Sequence, residues 1–226
     1  MNTTNLHIYF VLDRSGSMES MANDVVGGFN GFLAAQQSDG PDALMTLIQF
    51  DSNDPHEVLA DAVLIANVPP LTRESFVPRG GTPLYDAMGH AITDATIRIE
   101  QRREAREPDE SILFVTFTDG EENRSVEYRR EQLFDLVKKH EQEGWTFAYL
   151  GANQDAYAQS GRVGFSASST QNFKGDAQGS REAFANLSLS VSSRRSKMRS
   201  GESFDHTDLF EGHKSAEADL EKRLSE

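Results

Sequence analysis

The chain has 226 residues, 37% of them hydrophobic and 26% charged, which is enough for one well-filled core, and a single main domain is expected. Its 36 acidic against 22 basic side chains leave a formal charge of -14, which disfavours nucleic acid and anionic membranes and favours a cation or a basic surface. The absence of cysteine excludes disulfides, thiolate metal sites and cysteine nucleophiles.

Residues 1–5 are polar, and the apolar run 6–12 contains His7 and is too short for a signal-peptide core or a membrane span. The cytoplasm is the expected compartment. The same run, rich in β-branched and aromatic residues, reads as a strand, as do 44–50, 111–118 and 145–150, and all four look buried on both faces. Residues 58–65, interrupted by Asp61, read as an edge strand. Helical faces are formed by Met21, Val25, Phe29 and Phe32, then by Leu84, Met88, Ala91, Ala95 and Ile99, then by Val126, Leu133 and Val137. Beyond the fourth strand, a short helix from about Asp155 and a last strand around 163–167 are expected. Residues 180–199 read as helix, because "REAFANL" is strongly helix-forming, although Leu187, Leu189 and Val191 also alternate as in a strand. From 200 onward the chain is polar and charged, with the character of a tail or a docked terminal helix.

Alternating strands and helices with nearly continuous apolar strands predict a doubly wound α/β fold: a mostly parallel sheet with one antiparallel edge strand and helices on both faces. Such sheets bind ligands at the carboxyl ends of their strands, near the point where strand order reverses. Three loops rich in small oxygen ligands fall there. "DRSGS" offers Asp13, Ser15 and Ser17; "PRGGTPLYDA" offers Thr82 ahead of a Pro83 suited to starting a helix; "FTDGEEN" places Asp119 just past a strand. Two carboxylates and three hydroxyls, without sulfur or imidazole, suit Mg²⁺ or Mn²⁺, with Ca²⁺ less favoured, rather than zinc or copper.

With these three motifs in this order, the chain resembles a von Willebrand factor type A domain, with "DRSGS", "GGT" and "TDG" as the parts of its metal-ion-dependent adhesion site (MIDAS). The resemblance runs from about Leu6 to at least Leu150, so residues 1–199 are read as the domain and 200–226 as the polar tail or docked helix. It implies that Ser15, Ser17 and Thr82 offer hydroxyls to the ion while Asp13 and Asp119 bind it directly or through water. It also implies an open coordination position for an Asp or Glu carboxylate of a protein partner. "WTFAYLGANQDA" is closer to bacterial members of the family, and cytoplasmic members commonly work beside ATPases, chelatases or stress-response complexes, so an ATPase-containing complex is one expected setting.

The alternative is a Mg²⁺-dependent hydrolase or phosphatase with Asp13 as nucleophile. That chemistry calls for a second acid two residues on and a phosphate-holding lysine, whereas Ser15 stands at the first position and no lysine precedes Lys138. No Walker A or nucleophile-elbow sequence surrounds the first strand, so an interaction module rather than an enzyme is expected. Asp86 reads as a helix-start charge, with support of the ion site as the other reading. Asp51, Glu121 and Glu122 read as solvated rim charges, and the six histidines as structural or surface residues.

Overall fold

In the computed structural model, which describes residues 5–152 and 155–210, the first strand shows why its sequence is apolar almost throughout. β1 (Asn5–Asp13) turns Leu6, Ile8, Phe10 and Leu12 into one core and Tyr9 and Val11 into another. β2 (Ala43–Asp51), β4 (Glu110–Thr118) and β5 (Thr146–Ala152) are divided in the same way. The sheet runs β3-β2-β1-β4-β5-β6, with β3 (Asp54–Leu64) the antiparallel edge strand against β2 and β6 (Thr170–Phe173) closing the other edge in parallel. The expected doubly wound architecture is therefore present.

Helices α1 (Ala22–Asp39) and α5 (Ala177–Ser200) lie on one face, packing Phe29, Phe32 and Phe184 around Phe10. On the other face, α2 (Leu84–Glu104), α3 (Arg130–Gln142) and α4 (Ala156–Arg162) cover Phe114, Phe147 and Tyr149. No helix of the described residues is long and apolar enough to cross a membrane.

Strand order reverses between β1 and β4, since the chain builds outward from β1 to β2 and β3 and then returns across α2 to β4. The switch point lies between the ends of these two strands. Asp13 is the last residue of β1 and Asp119 follows the last residue of β4.

Three local expectations differ from the structure. Residues 163–167 are not a strand: Gly164 has φ +89°, and Val163 and Phe165 pack into the core beneath Phe147 and Tyr149, while the strand forms at 170–173. Val126 is not on a helix face; α3 begins at Arg130, and Val126 is 89% exposed. Residues 202–210 contain no helix, and Leu209 and Phe210 are buried in the core beside α5. Residues 211–226 lie outside the described residues.

At the opposite edge, His7 is fully buried, with Nδ1 3.0 Å from Glu110 Oε2 and Nε2 2.9 Å from Thr46 Oγ1. Burial holds the imidazole below its ordinary pKa of 6.5. Burial would raise Glu110, but hydrogen bonds from His7 and Arg98 outweigh it and bring the carboxyl down to about 2. Each group binds its proton more readily in the unfolded chain, so both contributions are present above pH 6.5 and are lost on acidification. We expect the His7 contribution to be lost as pH drops below 6.5 and the Glu110 contribution between 4.5 and about 2, so that the difference in thermal stability between wild type and His7→Gln shrinks below pH 6.5. A His7→Gln melting curve with the wild-type pH dependence near 6 would contradict this assignment.

Candidate metal centre

β1 delivers Asp13 to the sheet edge fully buried, where Oδ1 accepts the Ser15 N–H at 2.7 Å and Oδ2 accepts the Thr118 hydroxyl at 2.5 Å. Ser15 and Ser17 hydroxyls are 3.0 Å apart, and Ser17 Oγ donates to Asp119 Oδ1 at 2.7 Å. Thr82, just ahead of α2, completes the group. The point that a Cβ on Gly120 would occupy lies 3.0 Å from Thr82 Oγ1, 3.7 Å from Ser17 Oγ and 3.8 Å from Asp13 Oδ2. Three motifs far apart in sequence thus surround one small space, which any side chain at position 120 would crowd.

The electrostatics favour a cation. Burial pushes the Asp13 carboxyl up to about 7 against the hydrogen bonds from Thr118 and Ser15, and the Asp119 charge adds to the rise. Burial also raises Asp119. The nearest base in sequence, Arg14, points away, donating to Gln49 Oε1 at 3.0 Å, to Asp51 Oδ2 at 2.9 Å and to Glu57. Among the described residues no three His, Cys, Asp or Glu side chains gather as ligands. An ion here would therefore depend on hydroxyls and water beside two carboxylates, a set that fits a hard divalent cation.

Two neighbouring networks fix the loops. Asp51 is fully buried rather than a solvated rim charge. Its carboxylate accepts Arg14 Nε and Arg79 Nε, each at 2.9 Å, and the Asn53 N–H at 2.7 Å. With Gly16 N–H donating to Gly80 O and Arg79 N–H to Arg14 O, the loops after β1, after β2 and before α2 form one unit. Gly80, at φ +67°, has no room for a Cβ beside Ser52 Oγ.

Asp86 does more than offset the α2 dipole. Its carboxylate accepts the N–H groups of Val126, Glu127 and Tyr128 at 2.8, 3.0 and 2.7 Å, bracing the loop that follows Asp119. Glu122, also expected at the solvated rim, accepts the N–H groups of Tyr85, Arg124 and Ser125. Glu121 is exposed. Thr118 was not singled out by the sequence, although a hydroxyl ending the strand immediately before Asp119 is a usable signal.

No family model matches the chain, and no curated protein matches it in sequence. Among solved structures it is similar to the pilus adhesin SpaC from Lactobacillus rhamnosus GG, with TM-score 0.63 and 14% identity, over 86% of this chain and 31% of that one. A von Willebrand factor type A protein from Catenulispora acidiphila is similar with TM-score 0.55 and 14% identity, over 84% of this chain and 43% of that one. Proximal thread matrix protein 1 from the mussel byssus, solved with a zinc-occupied MIDAS motif, has TM-score 0.56 and 12% identity, over 80% of this chain and 46% of that one. The chain thus spans less than half the length of each of these proteins. In strand order, helix placement and overall superposition, it has the fold of a von Willebrand factor type A domain.

Proposed function

We propose that the protein is a metal-dependent interaction module of bacterial type whose Asp13, Ser15, Ser17, Thr82 and Asp119 hold a divalent cation, Mg²⁺ or Mn²⁺, at a MIDAS. The observation that carries this reading is the convergence of Thr82, Ser17 and Asp13 oxygens within 3.8 Å of one point, beside two carboxylates with raised pKa values. When bound, the ion would neutralise the two carboxylates and leave a coordination position for an Asp or Glu side chain of a protein partner. The residues of this chain supply the rest. Asp51 and Asp86 hold the loops in register, Thr118 orients Asp13, and Gly120 keeps the space open. The zinc-occupied MIDAS of the mussel protein supports a divalent ion in this fold, while the all-oxygen donor set here favours a harder one. A cytoplasmic complex containing an ATPase is the setting we favour.

An acidic chain at -14 repels an acidic partner at long range, so attraction must arise at contact distance, where the Coulomb interaction is largest. Partner capture from a cell extract is therefore expected in Mg²⁺, lost in EDTA and restored by Mn²⁺, and added salt should weaken it far less than chelation. Capture that persists in EDTA and survives Ser15→Ala with Ser17→Ala would overturn the proposal.

A further inference from the structure

We propose that Arg124 and Val126 form a second recognition element beside the ion site, selecting a partner segment that carries two carboxylates and a neighbouring apolar residue. The inference rests on the metal-dependent reading above and names the partner chemistry more narrowly. Asn123 couples this loop to Thr82 in both directions, its N–H donating to Thr82 O at 3.0 Å and its Oδ1 accepting the Thr82 N–H at 3.1 Å. The next side chain lies across Gly81, with Arg124 Cγ and Nε 2.5 and 3.1 Å from where a Cβ on that glycine would stand. The Arg124 side chain therefore lies beside the residue that precedes Thr82.

Arg124 is exposed and makes no ion pair or side-chain hydrogen bond among the described residues. Other arginines on this side of the molecule are engaged: Arg14 and Arg79 with Asp51, Arg73 with Glu19, and Arg130 with Glu131. In a chain with a surplus of carboxylates, an arginine without one beside the candidate carboxylate-binding position is available for a carboxylate from outside. Two residues on, Val126 is 89% exposed, and nothing in the fold is gained by placing it there. The backbone that carries both is rigidly held, because Glu122 accepts the Arg124 N–H at 2.8 Å and Asp86 accepts the Val126 N–H at 2.8 Å. A braced loop loses little freedom on binding, which favours recognition over a merely solvated surface.

An extended partner segment places residues two positions apart on the same side. One carboxylate would reach the ion and the other Arg124, with an apolar neighbour over Val126. The test compares fluorescent peptides bearing one Glu, or two Glu separated by one residue, each with Leu two positions after the last Glu, in a Gly-Ser background, by anisotropy in Mg²⁺ and in EDTA. The wild type is expected to bind the two-Glu peptide about fivefold or more tightly than the one-Glu peptide. Arg124→Gln should abolish that preference, and Arg124→Glu should reverse it, while calorimetry shows that Mg²⁺ still binds both variants. Salt should reduce the preference more than it reduces the metal-dependent binding itself. Equal, Mg²⁺-dependent binding of both peptides, or a preference that survives Arg124→Gln, would overturn the role of Arg124 and leave the metal reading intact. Absence of Mg²⁺-dependent binding by either peptide would overturn both.

Discussion

Asp86→Ala is expected to destabilise the protein by about 3 kcal/mol and to weaken its response to metal as well. One buried carboxylate accepts three consecutive backbone N–H groups, those of Val126, Glu127 and Tyr128, and each buried donor left without a partner costs about 1–3 kcal/mol. The total lies at the low end of three such penalties because the loop can move outward and hydrate, as the exposure of Val126 suggests. That movement would release Tyr128 from its position over Gly89, where a Cβ would approach the ring to 2.4 Å, and would loosen the Asn123 pairing with Thr82. Asp86→Asn retains one acceptor oxygen and should lose about half as much. Urea unfolding measures the loss, and amide exchange at 126–128 locates it. An Asp86→Ala variant within about 0.5 kcal/mol of wild type would show that the brace contributes little.

Asp119→Ala should separate metal binding from folding. Wild-type protein at a metal concentration 100-fold above its dissociation constant gains about 2.7 kcal/mol of stability, because the ion binds only the folded state. The variant should lose that gain entirely. Without metal it should be at least as stable as wild type: the Ser17 to Asp119 hydrogen bond disappears, but so does a carboxylate whose charge helps to raise the pKa of the buried Asp13. Thermal melts with and without Mg²⁺ test both halves. An unchanged metal response would place the ion elsewhere on the acidic surface.

The fold was readable where strands are apolar on both sides. β1, β2, β4 and β5 stand out because alternate residues enter two different cores, and β3 stands out because Asp61 interrupts it at an edge. β6 was missed because its sequence is Thr-Gln-Asn-Phe, whose polar groups are satisfied by contacts such as Thr170 Oγ1 with Ser160 Oγ. The apolar Val163 and Phe165 attracted the strand assignment but fill space beneath the sheet. Val126 has helical spacing to Leu133, yet Asp86 holds its backbone in a loop.

Within the candidate site, the five proposed ligand residues stand out in the sequence because each ends or follows a strand, or precedes a helix, in a short oxygen-rich motif. The residues that position them do not. Asp51 becomes a hub only once Arg14 and Arg79 reach it from two other loops, and Asp86 and Glu122 brace a segment about 40 positions away. Their partners are set by tertiary structure and have no local signature.

The central claim is that these five residues bind a divalent cation, and a crystal soaked in Mn²⁺ with data collected at the manganese edge tests it most directly. The account predicts one anomalous peak between β1 and β4, within about 2.0–2.6 Å of the Ser15, Ser17 and Thr82 hydroxyls, and near enough to Asp13 and Asp119 for direct or water-mediated contact. No peak there, or a peak only among surface carboxylates, would contradict it.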